Sequence, residues 1–126
     1  MQANLNLFCN ILPPSPGSPK DFSHAHLRAQ DLMRFCVAFL YLRGISDITI
    51  TSVVREDGGT HQLGKCIDFD VEELETSPKV RQALSELMGL VQTYAPYGVG
   101  RDGKWHWAFV WEVDAAHRNH VHTQVK

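Results

Sequence analysis

The chain has 126 residues, 44% of them hydrophobic and 21% charged, which predicts one ordinary globular domain and excludes a disordered or fibrous protein. A formal net charge of −2 gives no electrostatic footprint for nucleic acid or for an anionic membrane surface, so neither is expected as a partner. Cys9, Cys36 and Cys66 show no C-x-x-C spacing, which argues against a disulfide framework and a cysteine-rich zinc site and fits a reducing compartment.

The first stretch, MQANLNLFCNILPP, lacks the basic start and unbroken apolar run of a secretory signal, so synthesis in the cytoplasm without a signal peptide is expected. No segment approaches the ~20 apolar residues needed to cross a bilayer. Residues 1–22 include PPSPGSP, too rich in proline for a helix or a central strand. They are expected to form an extended arm that can contact another chain, with the globular domain over 23–126.

Ser23 is a candidate N-cap for a helix running to about Arg43, and Gly44 is placed to end it. Ala29, Met33, Cys36, Val37 and Leu40 recur at helical spacing along it. DITITSVVR is dense in β-branched residues and reads as a strand, and KCIDFDV reads as a second after the loop EDGGTHQLG. Ser77 caps a second helix with Pro78 at its first position, and Val80, Leu84, Leu87, Met88 and Val91 form its apolar stripe. After the turn-rich APYGVGRDGK, the segments WHWAFVWEV and HVHTQV read as two more strands. This order predicts an α+β domain with a small, largely antiparallel sheet and flanking helices.

Histidine is the unusual residue: seven in all, three of them in the last ten positions. In a strand, alternate side chains share a face, so His120 and His122 point the same way. In KCIDFDV, Asp68 shares its face with Cys66 and Asp70, while Ile67 and Phe69 point to the other side. His61 precedes that strand in a glycine-flanked loop. Two histidines and a carboxylate with one open position make a catalytic zinc set, and His61, Asp68 and His122 can supply it if their strands are neighbours. On spacing alone the alternative stands beside it: a solvated aspartate in a half-buried strand, and histidines that merely lie on the surface.

The segment THQLGKCID resembles the H-x-x-G-x-A-x-D motif of the D-Ala-D-Ala metallopeptidases, a group that includes the lysostaphin-type enzymes and the hedgehog signalling domain. His61, Gly64 and Asp68 match the motif, and Cys66 stands in place of its alanine. HVH matches a later H-x-H element, His117 lies three residues before that pair, and SVVR is similar to a reduced Ser-Gly-Tyr-Arg segment. The likeness spans roughly residues 24–125. It implies a zinc peptidase-like domain of the hedgehog/DD-peptidase kind, with Zn2+ on His61, Asp68 and His122. It further implies His120 as the catalytic histidine, His117 beside the substrate or its water, and Arg55 on a substrate carboxylate or carbonyl.

The implied reaction is hydrolysis of peptidoglycan stem-peptide or cross-link amide bonds, in the manner of a phage endolysin or lysis protein acting on the cell wall. Virion or tail proteins are then candidate partners for the arm. Other branches of the group carry a glutamate three residues before the last ligand, where this chain has Asn119. That departure leaves the proton carrier unassigned, and Glu112 is too far along the chain to take its place. It also keeps open a non-enzymatic reading, a zinc-stabilised phage structural or cell-wall-binding module. A histidine-rich metal nuclease is disfavoured by the missing basic surface.

Of the remaining residues, Trp105, Trp107 and Trp111 are expected on one face of a single strand, as core packing or as a sugar-stacking platform. His106 would face the other way. His24 and His26 are expected at an exposed helix start, Cys66 as a small buried thiol, and Asp70 as a substitute ligand only if the register slips.

Overall fold

The structure is a computed structural model that describes residues 10–11, 25–52, 65–95, 98–99, 103–112 and 119–125. Among the described residues, two helices, α1 (Leu27–Leu42) and α2 (Pro78–Tyr94), accompany seven strands. These are β1 (Asn10–Ile11), β2 (Ile48–Ser52), β3 (Cys66–Val71), β4 (Gly98–Val99), β5 (Trp105–His106), β6 (Phe109–Val110) and β7 (Val121–Gln124). The main sheet runs β1-β2-β3-β7-β6, and every pairing in it is antiparallel except β1 with β2. The expected α+β class therefore describes this domain. Asn10 and Ile11, within the stretch expected to be an extended arm, add a parallel edge to the sheet beside Thr49 and Ile50.

Each helix forms where its apolar stripe and its caps agree. The predicted stripe of α1 is wholly buried, and Ile45 N–H reaches back to the Leu40 carbonyl at 3.0 Å while Gly44 takes φ +78°. This six-to-one closure satisfies a carbonyl at the helix end and requires a left-handed residue, which is why glycine sits there. The helix begins later than expected. The His26 ring nitrogen Nδ1 accepts the Arg28 N–H at 3.2 Å and serves as the N-cap, whereas Ser23 lies outside the described residues. In α2, Ser77 Oγ accepts the Val80 N–H at 3.3 Å, with Pro78 at the first position as expected. Val80, Leu84, Leu87 and Val91 are buried, and Met88 packs against the core from the side.

The sheet divides side chains strictly by register. Ile48, Ile50, Ile67, Phe69, Phe109 and Val121 join the helix stripes in one core cluster, where Phe69 and Phe109 meet edge to face at 6.3 Å. Thr123 shares that buried face and satisfies its hydroxyl on the Ile67 carbonyl at 2.7 Å. Because side chains alternate, Cys66, Asp68, Asp70, His122 and Gln124 take the opposite face. Beside Asp68 the β2 strand carries an extra residue: Ile50 opposes Phe69, yet Ser52 opposes Asp68, so Thr51 forms a bulge. Bulges recur beside active sites because they re-aim the chain.

The expected strand WHWAFVWEV is broken in two. β5 pairs with β4 in a separate two-stranded sheet, and β6 pairs with β7 in the main one. Of the expected tryptophan face, Trp107 and Trp111 take different settings. Trp111 is core, and the Arg81 guanidinium lies 5.3 Å from its ring centre. Trp107, by contrast, is 40% exposed between the two short strands. Among the described residues, no helix is long and apolar enough to cross a membrane.

Candidate metal site

The condition set by the sequence is met: β3 and β7 are neighbours, and Asp68 lies directly opposite His122. Cross-strand partners at one register place their side chains side by side on one face. His122 Nδ1 lies 2.8 Å from Asp68 Oδ1, and His120 Nε2 lies 4.0 Å from the other carboxylate oxygen, Oδ2. The carboxylate thus faces one imidazole with each oxygen. Asp68 is only 5% exposed, so it is not the solvated strand aspartate that spacing alone allowed.

A carboxylate this deeply buried requires partners, since an isolated charge out of water costs several kcal/mol or more. Its chief partner here is His122. Burial pulls that imidazole toward its neutral form. The hydrogen bonds to Asp68 and Cys66, and the charge of Asp68, outweigh burial and push its pKa up to about 10. In the metal-free protein His122 and Asp68 accordingly form an ion pair. Cys66, fully buried on the same face, adjoins the pair from its place two residues before Asp68.

His120 precedes β7 and is half-buried, with its Nδ1 2.9 Å from Asn119 Oδ1. An amide oxygen only accepts, so Nδ1 donates and Nε2 is the nitrogen turned toward Asp68. Two other candidates are engaged elsewhere. Asp70 folds its Oδ1 back onto the Val71 N–H at 2.8 Å, and Glu112 binds Arg81 of α2 at 2.6 Å. His106 is half-buried in the β4–β5 hairpin, and His26 caps α1. Arg55, His61, Gly64 and His117 lie outside the described residues. Among the described residues, no group of three histidine, cysteine or acidic side chains is arranged to hold a metal ion.

The pair itself suits a zinc ion. Two donors on one tetrahedral Zn2+, at bonds of roughly 2.1 Å, stand about 3.4 Å apart. The 2.8 Å hydrogen bond between Asp68 and His122 is shorter by about half an ångström, a gap that small side-chain rotations open. The residue that sequence reading missed is Gln124, whose Oε1 lies 3.2 Å from His122 Nε2. Its signal was present in the alternation, since Gln124 is two residues after His122 and must share its face.

A groove of about 470 Å³ lies elsewhere, lined by Leu32, Phe35, Val91 and Tyr94 of the two helices. Neither Asp68 nor His122 reaches it, although Gln124 does. The groove is mainly apolar, with Arg28 and Asp31 as the charged side chains of its lining. No family model, curated protein or solved structure matches the chain. Fold and site together define a class in their own terms: an α+β domain with a buried carboxylate–imidazole pair on the sheet face away from its core.

Proposed function

We propose that the chain is a zinc-dependent peptidoglycan peptidase, a D-Ala-D-Ala carboxypeptidase or endopeptidase acting on stem-peptide or cross-link amides. The observation that carries this reading is the buried pairing of Asp68 with His122 across adjacent strands, the two residues that the H-x-x-G-x-A-x-D and H-x-H motifs single out. In this reading Asp68, His122 and His61 hold the metal, and the first two already stand together. A bound Zn2+ supplies a water with its pKa lowered to roughly 7 and polarises the scissile carbonyl.

The protein's own groups do the rest. His120, whose Nε2 lies beside the second oxygen of Asp68, is assigned to hold a proton or to hydrogen-bond the developing oxyanion. Its Asn119 contact fixes which nitrogen serves. Arg55 is assigned to the substrate carboxylate, for which the planar guanidinium is suited. His117 is assigned to the substrate side of His120. Action on the cell wall as a phage lysis or virion protein, with the arm meeting tail proteins, belongs to the same reading.

The test joins metal content to digestion. Purified protein should carry one zinc per chain and release new amino groups from peptidoglycan, and a chelator should stop it. His122→Ala should lose the zinc, while His120→Ala should keep it and lose turnover. A wild-type protein without stoichiometric metal would sink the reading. Asn119, which presents an amide where a carboxylate base would stand, favours one alternative: a zinc-stabilised module that binds cell wall or a virion partner without cleaving. Zinc retained with no amino groups released would select it.

A further inference from the structure

We propose that Gln124 is the positioning residue of this site, fixing the His122 ring so that Nε2 keeps a proton and Nδ1 faces Asp68. Its extension to a metal, with Nδ1 as the coordinating nitrogen, rests on the zinc reading above.

The assignment follows from donors and acceptors alone. Gln124 Nε2 lies 2.8 Å from the Trp107 carbonyl oxygen. A carbonyl has no hydrogen to give, so the amide must turn its NH2 toward Trp107. That turns Oε1 toward His122, 3.2 Å from Nε2. An amide oxygen has no hydrogen either, so Nε2 must carry one. Only Nδ1 is then left for the carboxylate, at 2.8 Å. The relay Trp107 C=O, Gln124 amide, His122 Nε2–H, Nδ1, Asp68 has a single sense, set by the backbone carbonyl at its far end.

Both ends of the relay are held by the fold. The Trp107 carbonyl can accept from a side chain because the chain leaves the ladder between β5 and β6. Gln124 is 8% exposed, and its backbone N–H donates to the Ala108 carbonyl at 3.0 Å, which fixes β7 against the residue after Trp107. Outer groups of this kind orient a metal-binding imidazole and select its free nitrogen.

The test uses the full chain, Zn2+ alone and two variants. Gln124→Leu removes the acceptor for His122 and the donor to Trp107. Gln124→Glu removes the donor, adds a negative charge and retains an oxygen for Nε2–H. Zinc affinity, measured by competition with a chelator, should fall about 10–100-fold in Gln124→Leu and stay within a few-fold of wild type in Gln124→Glu. A role limited to strapping β7 to Trp107 would weaken both variants alike, and that result, or wild-type affinity in Gln124→Leu, overturns the proposal.

A second readout needs no metal. In nitrogen-15 spectra of the metal-free protein, the His122 Nε2–H should be visible and slow to exchange in wild type and Gln124→Glu. It should be lost to solvent exchange in Gln124→Leu. If wild type takes up no zinc, the metal reading falls, while these spectra still decide whether Gln124 holds the imidazole. An unprotected Nε2–H in wild type overturns the proposal outright.

Discussion

The two faces of β3 and β7 differ in how a change at one residue is felt. On the core face, Ile67, Phe69 and Val121 each touch many apolar neighbours, and the attraction is divided among numerous weak contacts. On the other face, Cys66, Asp68, His122 and Gln124 form a short polar chain in which most links are a single hydrogen bond. Losing one member there removes a directed link that apolar packing does not replace. Stability should therefore be carried mainly by the first face and, in the proposed zinc reading, metal binding by the second.

The largest effect expected on stability comes from the core. Phe69→Ala should cost about 3–5 kcal/mol, since it removes a fully buried ring that also meets Phe109. Urea denaturation measures it, and zinc stoichiometry of the folded fraction should be unchanged. Asp68→Ala should cost about 3 kcal/mol, near the lower end for breaking a buried ion pair, because His122 can shed its proton once unpaired. It should also abolish zinc uptake. Replacing both partners by leucine should recover most of that stability and none of the zinc, as a buried pair exchanged for apolar volume is often neutral. A double variant less stable than Asp68→Ala would show that the polar face contributes to folding in its own right.

Much of this division was legible in the sequence. Period-two alternation in KCIDFDV separated Ile67 and Phe69 from Asp68, and helical spacing found both buried stripes. Legibility ended where tertiary contacts overrode local pattern. WHWAFVWEV has the composition of one strand, yet its two halves pair with different partners, which no local signal specifies. His26 as a helix cap was hidden because histidine is not a favoured capping residue. The burial of Asp68 depends on strand order, which a residue pattern leaves open. Gln124 could have been found by extending the alternation of β7 by one more pair.

The same comparison has a pH signature in the metal-free protein. His122 is raised from an unfolded value near 6.5 to about 10. Its pairing therefore contributes fully below about pH 6.5 and is lost as pH rises through about 10, because the folded state holds the proton more tightly. Denaturant midpoints should decline across that interval in wild type. The decline should vanish in the double leucine variant, whereas Phe69→Ala should lower the whole curve and keep its slope. A wild-type curve flat from pH 7 to 10 would contradict the ion pair.

Cys66 tests where the boundary between the faces lies, and the expected effect is the smallest. By register it belongs with Asp68, yet it is fully buried and, like a core residue, offers a soft, weakly polar side chain. If its packing matters most, Cys66→Ala should cost about 1 kcal/mol for the lost sulfur and leave zinc affinity within a few-fold. Alanine is also the residue that the resembling motif carries at this place. If its contact with His122 matters most, the same substitution should lower the His122 pKa and weaken zinc binding, while stability hardly moves. The two outcomes separate a thiol that fills space from one that completes the polar chain. We expect the first, because Asp68 and Gln124 each hold one nitrogen of the His122 ring, so Cys66 is not the sole support of either.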